Sequence, residues 1–325
     1  MAREIEGSVL FDELPPPAFT LPPSPFAQPL PSDAPACDGY DLVRILESDR
    51  VAIVYEATER ATGERVALRA LRTERIGEPT SLRVLEREAR LLSRLRSPHV
   101  VGLKGVTMNR DGAPCLVLEA PKGKTLASIL QTKPVFEQHE AVECILQVCA
   151  ALETAMSAGV VHGDLSASNI IVNEEPGGSV VKVKGFGRMR PDIDAVVSPF
   201  APPPELRYWA PEMLRHPDAV DPRSDLWSLG ILLYRMLSGL YPYPERGQIA
   251  LSSAISSYDP QHLVTIMLGV DRLLASVVMN LLRRDITLRY QSVEELMTAL
   301  QPFAHEIVLT EDDLIPSVKI FPETG

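Results

Sequence analysis

A two-lobe α+β fold is what this 325-residue chain predicts, and three observations predict it. Short β-type runs crowd the stretch from Tyr40 to Leu118. Apolar residues at 3- and 4-residue spacing dominate after Gly123. Strands gathered first and helices afterwards fit lobes of different character rather than alternating βα units.

The elements follow in order. Residues 1–38 hold nine prolines between Pro15 and Pro35 and no sustained periodicity, so they read as an extended, disordered head. Val9-Leu10-Phe11 and Phe19 to Phe26 are its candidate docking points. Leu42 to Leu46, Ala52 to Thr58 and Arg65 to Leu71 read as strands, the last two joined by a turn at Ala61-Thr62-Gly63. Ser81 to Arg96 reads as a helix with Leu82, Leu85, Ala89, Leu92 and Leu95 on one face. Strands at Val101 to Met108 and Cys115 to Leu118 flank a turn at Asn109-Arg110-Asp111-Gly112. Helices are expected over Leu126 to Gln131, His139 to Ala158, Asp225 to Leu237 and several stretches between His262 and Phe303. The tail, 305–325, is acidic and then apolar from Leu314 to Phe321.

Composition narrows the function classes. A 45% hydrophobic and 23% charged chain is typical of a soluble globular protein. A net charge of -11 speaks against nucleic acid and against anionic membrane surfaces as partners. No apolar run reaches the roughly 20 residues of a membrane span. Leu226 to Leu237, interrupted by Ser228, Gly230 and Arg235, reads as a buried helix. The start, Met-Ala-Arg-Glu-Ile-Glu, has no apolar core of a signal peptide. Cys37, Cys115, Cys144 and Cys149 lack metal-ligand spacing, so no metal site is expected and a cytoplasmic location is.

The chemistry-bearing motifs begin at Val161-His162-Gly163-Asp164-Leu165-Ser166-Ala167-Ser168-Asn169, followed by Lys184-Gly185-Phe186-Gly187. Ala210-Pro211-Glu212, Asp225-Leu226-Trp227-Ser228-Leu229-Gly230 and Arg284 to Tyr290 come after them in order. Across about residues 40–304 these motifs resemble the protein kinase superfamily. The resemblance implies a small antiparallel β-sheet N-lobe with one helix (39–120) and a larger helical C-lobe (121–304). It also implies roles: Asp164 at the position of the base, Asn169 at that of a magnesium ligand, and His162 as a structural histidine. Glu212 with Arg289 matches the pair that anchors the activation segment, and Asp225 the acceptor for catalytic-loop amides. Ala67, Leu118 and the hinge Glu119-Ala120-Pro121 would line a nucleotide cleft, with Arg69 and Glu88 at the positions of the strand-three lysine and its helix partner.

Several parts depart from that pattern. The three phosphate-loop glycine positions fall on Glu47, Asp49 and Ala52, where carboxylates repel a polyanionic nucleotide. Arg69 replaces the lysine, which changes reach and geometry while keeping charge. Gly163 replaces the arginine of the catalytic loop, and Ser166 its lysine. Gly185 replaces the aspartate that would bridge magnesium to the phosphates. Lys184 beside it either supplies positive charge in the metal's place or faces solvent.

The resulting expectation is a pseudokinase: a signalling scaffold or allosteric regulator working through protein contacts, with ATP bound without magnesium as the one cofactor left open. An active kinase or a signalling complex is the partner class the resemblance implies. Contact surfaces are expected on the proline-rich head, on the activation segment with Ser198-Pro199 and Pro202-Pro203-Pro204, and on the tail. A weakly active kinase, or another ATP-dependent transfer with Asp192 or Asp194 recruited for metal, is the alternative. A rigid scaffold with a collapsed cleft is the third reading.

Overall fold

The computed structural model describes residues 30, 34–49, 51–187, 204–216 and 221–305. Its first lobe is an antiparallel sheet of β1 (Tyr40–Ser48), β2 (Ala52–Glu59), β3 (Arg65–Leu71), β4 (Leu103–Met108) and β5 (Pro114–Glu119). The strands lie in the order β1-β2-β3-β5-β4. A proline at the first turn starts α1 (Pro79–Leu92), which buries Leu85, Glu88 and Leu92 against the sheet.

Alternation is weak in β2, β3 and β5 because both faces of the sheet are covered. One face joins the main core with Leu85 and Leu92. The other holds a separate cluster of Cys37, Tyr55, Val66, Leu68, Cys115 and Val117, with Leu30 and Ala34 packed on it. The folded lobe therefore starts before the expected boundary at residue 39. Cys37 is 3% exposed and bridges Asn109, because without this short strap an apolar sheet face would meet water. The rest of the head, residues 188–203, 217–220 and 306–325 lie outside the described residues, and with them the expected contact surfaces and Asp192 and Asp194.

The second lobe contains β6 (Lys124–Thr125), α2 (Leu126–Thr132), α3 (Gln138–Ser157), β7 (Ile170–Glu175) and β8 (Gly178–Val183). It continues through α4 (Pro211–Arg215), α5 (Pro222–Ser238), α6 (Gln248–Ser257), α7 (Leu263–Ile266), α8 (Arg272–Leu281) and α9 (Val293–Leu300). Asp221 caps α5 by accepting from the Arg223 amide at 2.8 Å, with Pro222 at the first helical position. The helix is then buried nearly all round, as its apolar run predicts. A Cβ on Gly230 would lie 2.7 Å from Leu281 Cβ, so only glycine lets α5 and α8 approach this closely.

The β7–β8 hairpin is an element not named in the mostly helical expectation after Gly123. Its two branched runs, Ile170-Ile171-Val172 and Val180-Val181, flank a two-residue turn at Pro176-Gly177. The hairpin matters because Asn169 and Lys184 stand at its two feet. At the end of β8 the lobes meet: the Val101 amide donates to Val183 O at 2.9 Å and the Val183 amide to His99 O at 2.8 Å. No helix among the described residues is long and apolar enough to cross a membrane.

Candidate functional site

The floor of the cleft is the loop between α3 and β7. Asp225, 3% exposed on α5, accepts from the amides of His162 at 2.9 Å and Gly163 at 2.8 Å. Two backbone donors on one buried carboxylate fix the loop. The imidazole of His162 contacts Lys184 O through Nε2 at 3.0 Å and packs edge-on against Phe186 at 4.6 Å. His162 thus bonds backbone and fills core, and no reacting group lies within its described bonds. Asn169 donates from Nδ2 to Asp164 O at 2.8 Å, joining the two ends of the motif. Ser166 is 2% exposed, and its hydroxyl has no hydrogen-bond partner among the described residues. Gly163 and Gly185 adopt φ of +72° and +95°, the left-handed region that glycine enters without strain.

The sheet forms the roof. Arg69 donates from Nε to Glu88 Oε2 at 2.7 Å, with side chains 2% and 1% exposed. Its Nη1 forms an ion pair with Asp49 Oδ2 at 2.7 Å. Burial pushes the Asp49 carboxyl up, but the Arg69 charge and the amides of Ala52 and Val51 outweigh it and hold Asp49 below its ordinary value. Asp49 Oδ1 accepts those amides at 2.9 Å and 2.8 Å, which rigidifies the β1–β2 turn.

Roof and floor are tied by charge. Lys184 forms an ion pair with Glu47 at the end of β1, with side chains only 15% and 20% exposed. The solvent-facing alternative for Lys184 is thereby corrected: a lysine beside Gly185 finds its counter-ion on the opposite lobe. Glu47 is thus paired with Lys184, while Asp49 and Glu88 both face Arg69. Ala52 sits at the start of β2, fully buried.

A magnesium ion, which the resemblance implies, does not fit these residues. Gly185 supplies no carboxylate, Asn169 offers only a neutral amide oxygen, and the adjacent Lys184 is a cation. Among the described residues no group of three or more His, Cys, Asp or Glu could hold a metal ion.

Near the hinge, Ala67 and Leu118 are paired across β3 and β5 in the roof and are 7% and 5% exposed. The Glu119 carboxylate turns outward to Lys182 Nζ at 2.9 Å, on the rim of a cavity of about 310 Å³ that Arg65, Lys104 and Pro121 also line. Sequence reasoning missed this pair, because two charges 63 residues apart carry no joint signal.

The activation-segment anchor is complete. Arg289 forks onto Glu212 at 2.7 Å through both terminal nitrogens, Ser224 donates to Glu212 Oε1 at 2.8 Å, and the guanidinium stacks over Trp227. Burial pushes Glu212 up, yet the Arg289 hydrogen bonds and charge overcome it and leave it below its ordinary 4.5. The unfolded chain therefore binds the proton first on acidification. The pair's contribution is fully present above about pH 4.5 and is lost as the pH falls through the lower folded value. The melting temperature should drop on acidification below that point, with a shallower slope in Glu212→Gln; equal slopes would refute the assignment.

Comparison with known proteins agrees with this geometry. The protein kinase domain family profile matches residues 40–300. A probable serine/threonine-protein kinase of Clostridium perfringens, CPE1738, is 28% identical over 265 residues, covering 81% of this chain and 38% of the relative. Serine/threonine-protein kinase pkn2 of Myxococcus xanthus is 31% identical over 288 residues, 83% of this chain and 33% of the relative. Serine/threonine-protein kinase PknB of Mycobacterium leprae is 29% identical over 287 residues, 85% and 46%. The chain thus spans less than half the length of these relatives. With its lobes, its catalytic-loop geometry and its anchored activation segment in the expected order, the chain belongs to the protein kinase family.

Proposed function

We propose that this kinase-fold domain is a pseudokinase: it works through protein contacts, as a scaffold or allosteric regulator, with its cleft held by its own ion pairs. The observation that carries the reading is the Glu47–Lys184 pair beside Gly185, which fills the phosphate and metal end of the cleft with protein charge. Phosphoryl transfer is positioning plus charge stabilisation, and here the stabilising charges are spent on Glu47, Asp49 and Glu88.

The relatives weigh the other way. Each is named as a serine/threonine-protein kinase, and on that ground the alternative, weak transfer from ATP to a protein hydroxyl, is the better supported. Asp164 and Asn169 support it too. One measurement separates the readings: the melting temperature with excess ATP, in magnesium and in EDTA. A ligand that binds only the folded state raises it. No shift, or a shift independent of magnesium, fits the pseudokinase. A magnesium-dependent shift, with label transfer that Asp164→Ala abolishes, would make the domain a kinase.

One surface suits a protein partner. On this acidic chain, Arg83, Arg87 and Arg90 of α1, with Arg94 just beyond it, follow one another at spacings of 4, 3 and 4 and are all exposed. None of these side chains has an ion pair or hydrogen bond among the described residues. An acidic protein segment is the complementary occupant, and it would press on the helix that carries Glu88. Binding of a labelled glutamate-rich peptide should weaken at least tenfold in Arg87→Glu/Arg90→Glu and fall with salt, about 1.4 kcal/mol for each tenfold. Unchanged affinity in the variant would remove this surface from the proposal.

A further inference from the structure

We propose that Cys37 and Cys115 form an oxidation site, at which a hydroperoxide converts the two facing thiols to a disulfide that fastens the strap ahead of β1 to strand β5. The two sulfurs lie 3.5 Å apart although 78 residues separate them in sequence. They meet in the small apolar cluster on the outer face of the first-lobe sheet, away from the cleft. Both thiols are free and buried, at 3% and 0% exposure. Cys144 and Cys149, also buried, have no sulfur partner among the described residues.

At 3.5 Å the sulfurs are in van der Waals contact with no group between them. A disulfide needs about 2.05 Å, so the atoms must approach by roughly 1.5 Å. The strap can supply that movement. It is tied to the lobe by the Arg110 amide on Ala36 O at 3.0 Å, the Tyr40 amide on Cys37 O at 3.3 Å and the Asp38 amide on Met108 O at 3.4 Å. Two of these three bonds are long, and Leu30 and Ala34, which cover the cluster, belong to the same short segment. Local lifting of the strap admits an oxidant without opening the sheet.

The sulfurs differ in character. The neighbouring Cys115 thiol holds the Cys37 pKa below its ordinary value, while Cys115 itself is pushed up. Cys37 is accordingly the sulfur that reacts first. Its thiolate attacks the distal peroxide oxygen, the O–O bond breaks, and the alkoxide leaves and takes up a proton. The sulfenic acid on Cys37 is then attacked by the Cys115 sulfur; the S–S bond forms and the S–O bond breaks, releasing water with the Cys115 proton. Two thiols and ROOH give one disulfide, ROH and water, two electrons passing from sulfur to peroxide. The crosslink ties the root of the proline-rich head to the strand that ends at hinge residue Glu119.

The test uses the full chain, reduced, desalted and exposed to hydrogen peroxide, then unfolded in iodoacetamide and weighed. The reduced protein should take four alkyl groups, one for each cysteine. The oxidised protein should take two, with the Cys37 and Cys115 peptides joined, and dithiothreitol should restore four. Oxidation should also raise the melting temperature by an amount on the order of 5 °C. Cys37→Ala and Cys115→Ala should each keep three alkylatable thiols and show no such rise; either variant suffices if the other fails to fold. Four alkylated thiols after a treatment that fully oxidises glutathione in the same tube would overturn the proposal. So would a crosslink mapped to Cys144 and Cys149, or higher oxides on single cysteines without a crosslink.

Discussion

Replacing Glu88 by alanine should lower the unfolding free energy by about 3–5 kcal/mol. The Arg69 guanidinium lies 2.7 Å from Glu88 and is almost sealed from water. Without Glu88 a full positive charge stays buried, and its desolvation is no longer repaid by a partner of equal burial. Asp49 remains at 2.7 Å but is 38% exposed, so water screens much of what it offers and the loss falls toward the lower end. Since domains hold only about 5–15 kcal/mol in total, a change of this size should be plain in urea unfolding. The double variant Arg69→Met/Glu88→Leu should recover most of the loss, because it removes both charges together. A Glu88→Ala loss below about 1 kcal/mol would mean that water reaches Arg69 after all.

Glu47→Ala should act on ligand binding rather than on the core. The carboxylate pairs with Lys184 and, on the proposed reading of the cleft, stands where a nucleotide's phosphates would go. Removing it deletes one repulsion and one counter-ion of that lysine. At an effective dielectric near 20, each such interaction is worth up to about 4 kcal/mol at contact. Partial exposure and a mobile lysine reduce that, so a gain of at least tenfold in ATP affinity, about 1.4 kcal/mol, is expected. The gain should persist in EDTA, because Lys184 and not a metal would meet the phosphates. Isothermal titration of the variant against the parent decides the matter. Equal affinities would show that the ion pair does not control entry.

The fold was legible because its motifs are local. Val161 to Asn169, Ala210-Pro211-Glu212 and Asp225 to Gly230 each occupy one loop or helix end, and their order alone specifies two lobes. The Arg69–Glu88 and Glu212–Arg289 pairs were legible for the same reason: each residue stands at a fixed place in a motif. What the sequence could not say was where the displaced charges would go. Register puts Glu47 and Asp49 at the glycine positions, but their choice of Lys184 and Arg69 depends on how the lobes close. The β7–β8 hairpin was hidden in a helical background, its branched runs being only a few residues long. The family domain begins at residue 40, beside the expected boundary, yet Ala34 and Cys37 ahead of it, too few to register as a pattern, cover a sheet face.

The lobes are joined on one side by main-chain bonds through Val183 and across the cleft, among the described residues, by the Glu47–Lys184 charge pair. Mechanically that is a hinge and a clasp. Main-chain bonds barely feel dissolved ions, whereas a clasp still 15% and 20% open to solvent loosens as the screening length shrinks from about 10 Å at 0.1 M salt to about 3 Å at 1 M. In strong brine the jaw should therefore gape while both halves stay folded, so that ionic strength sets the molecule's outline before it sets its stability.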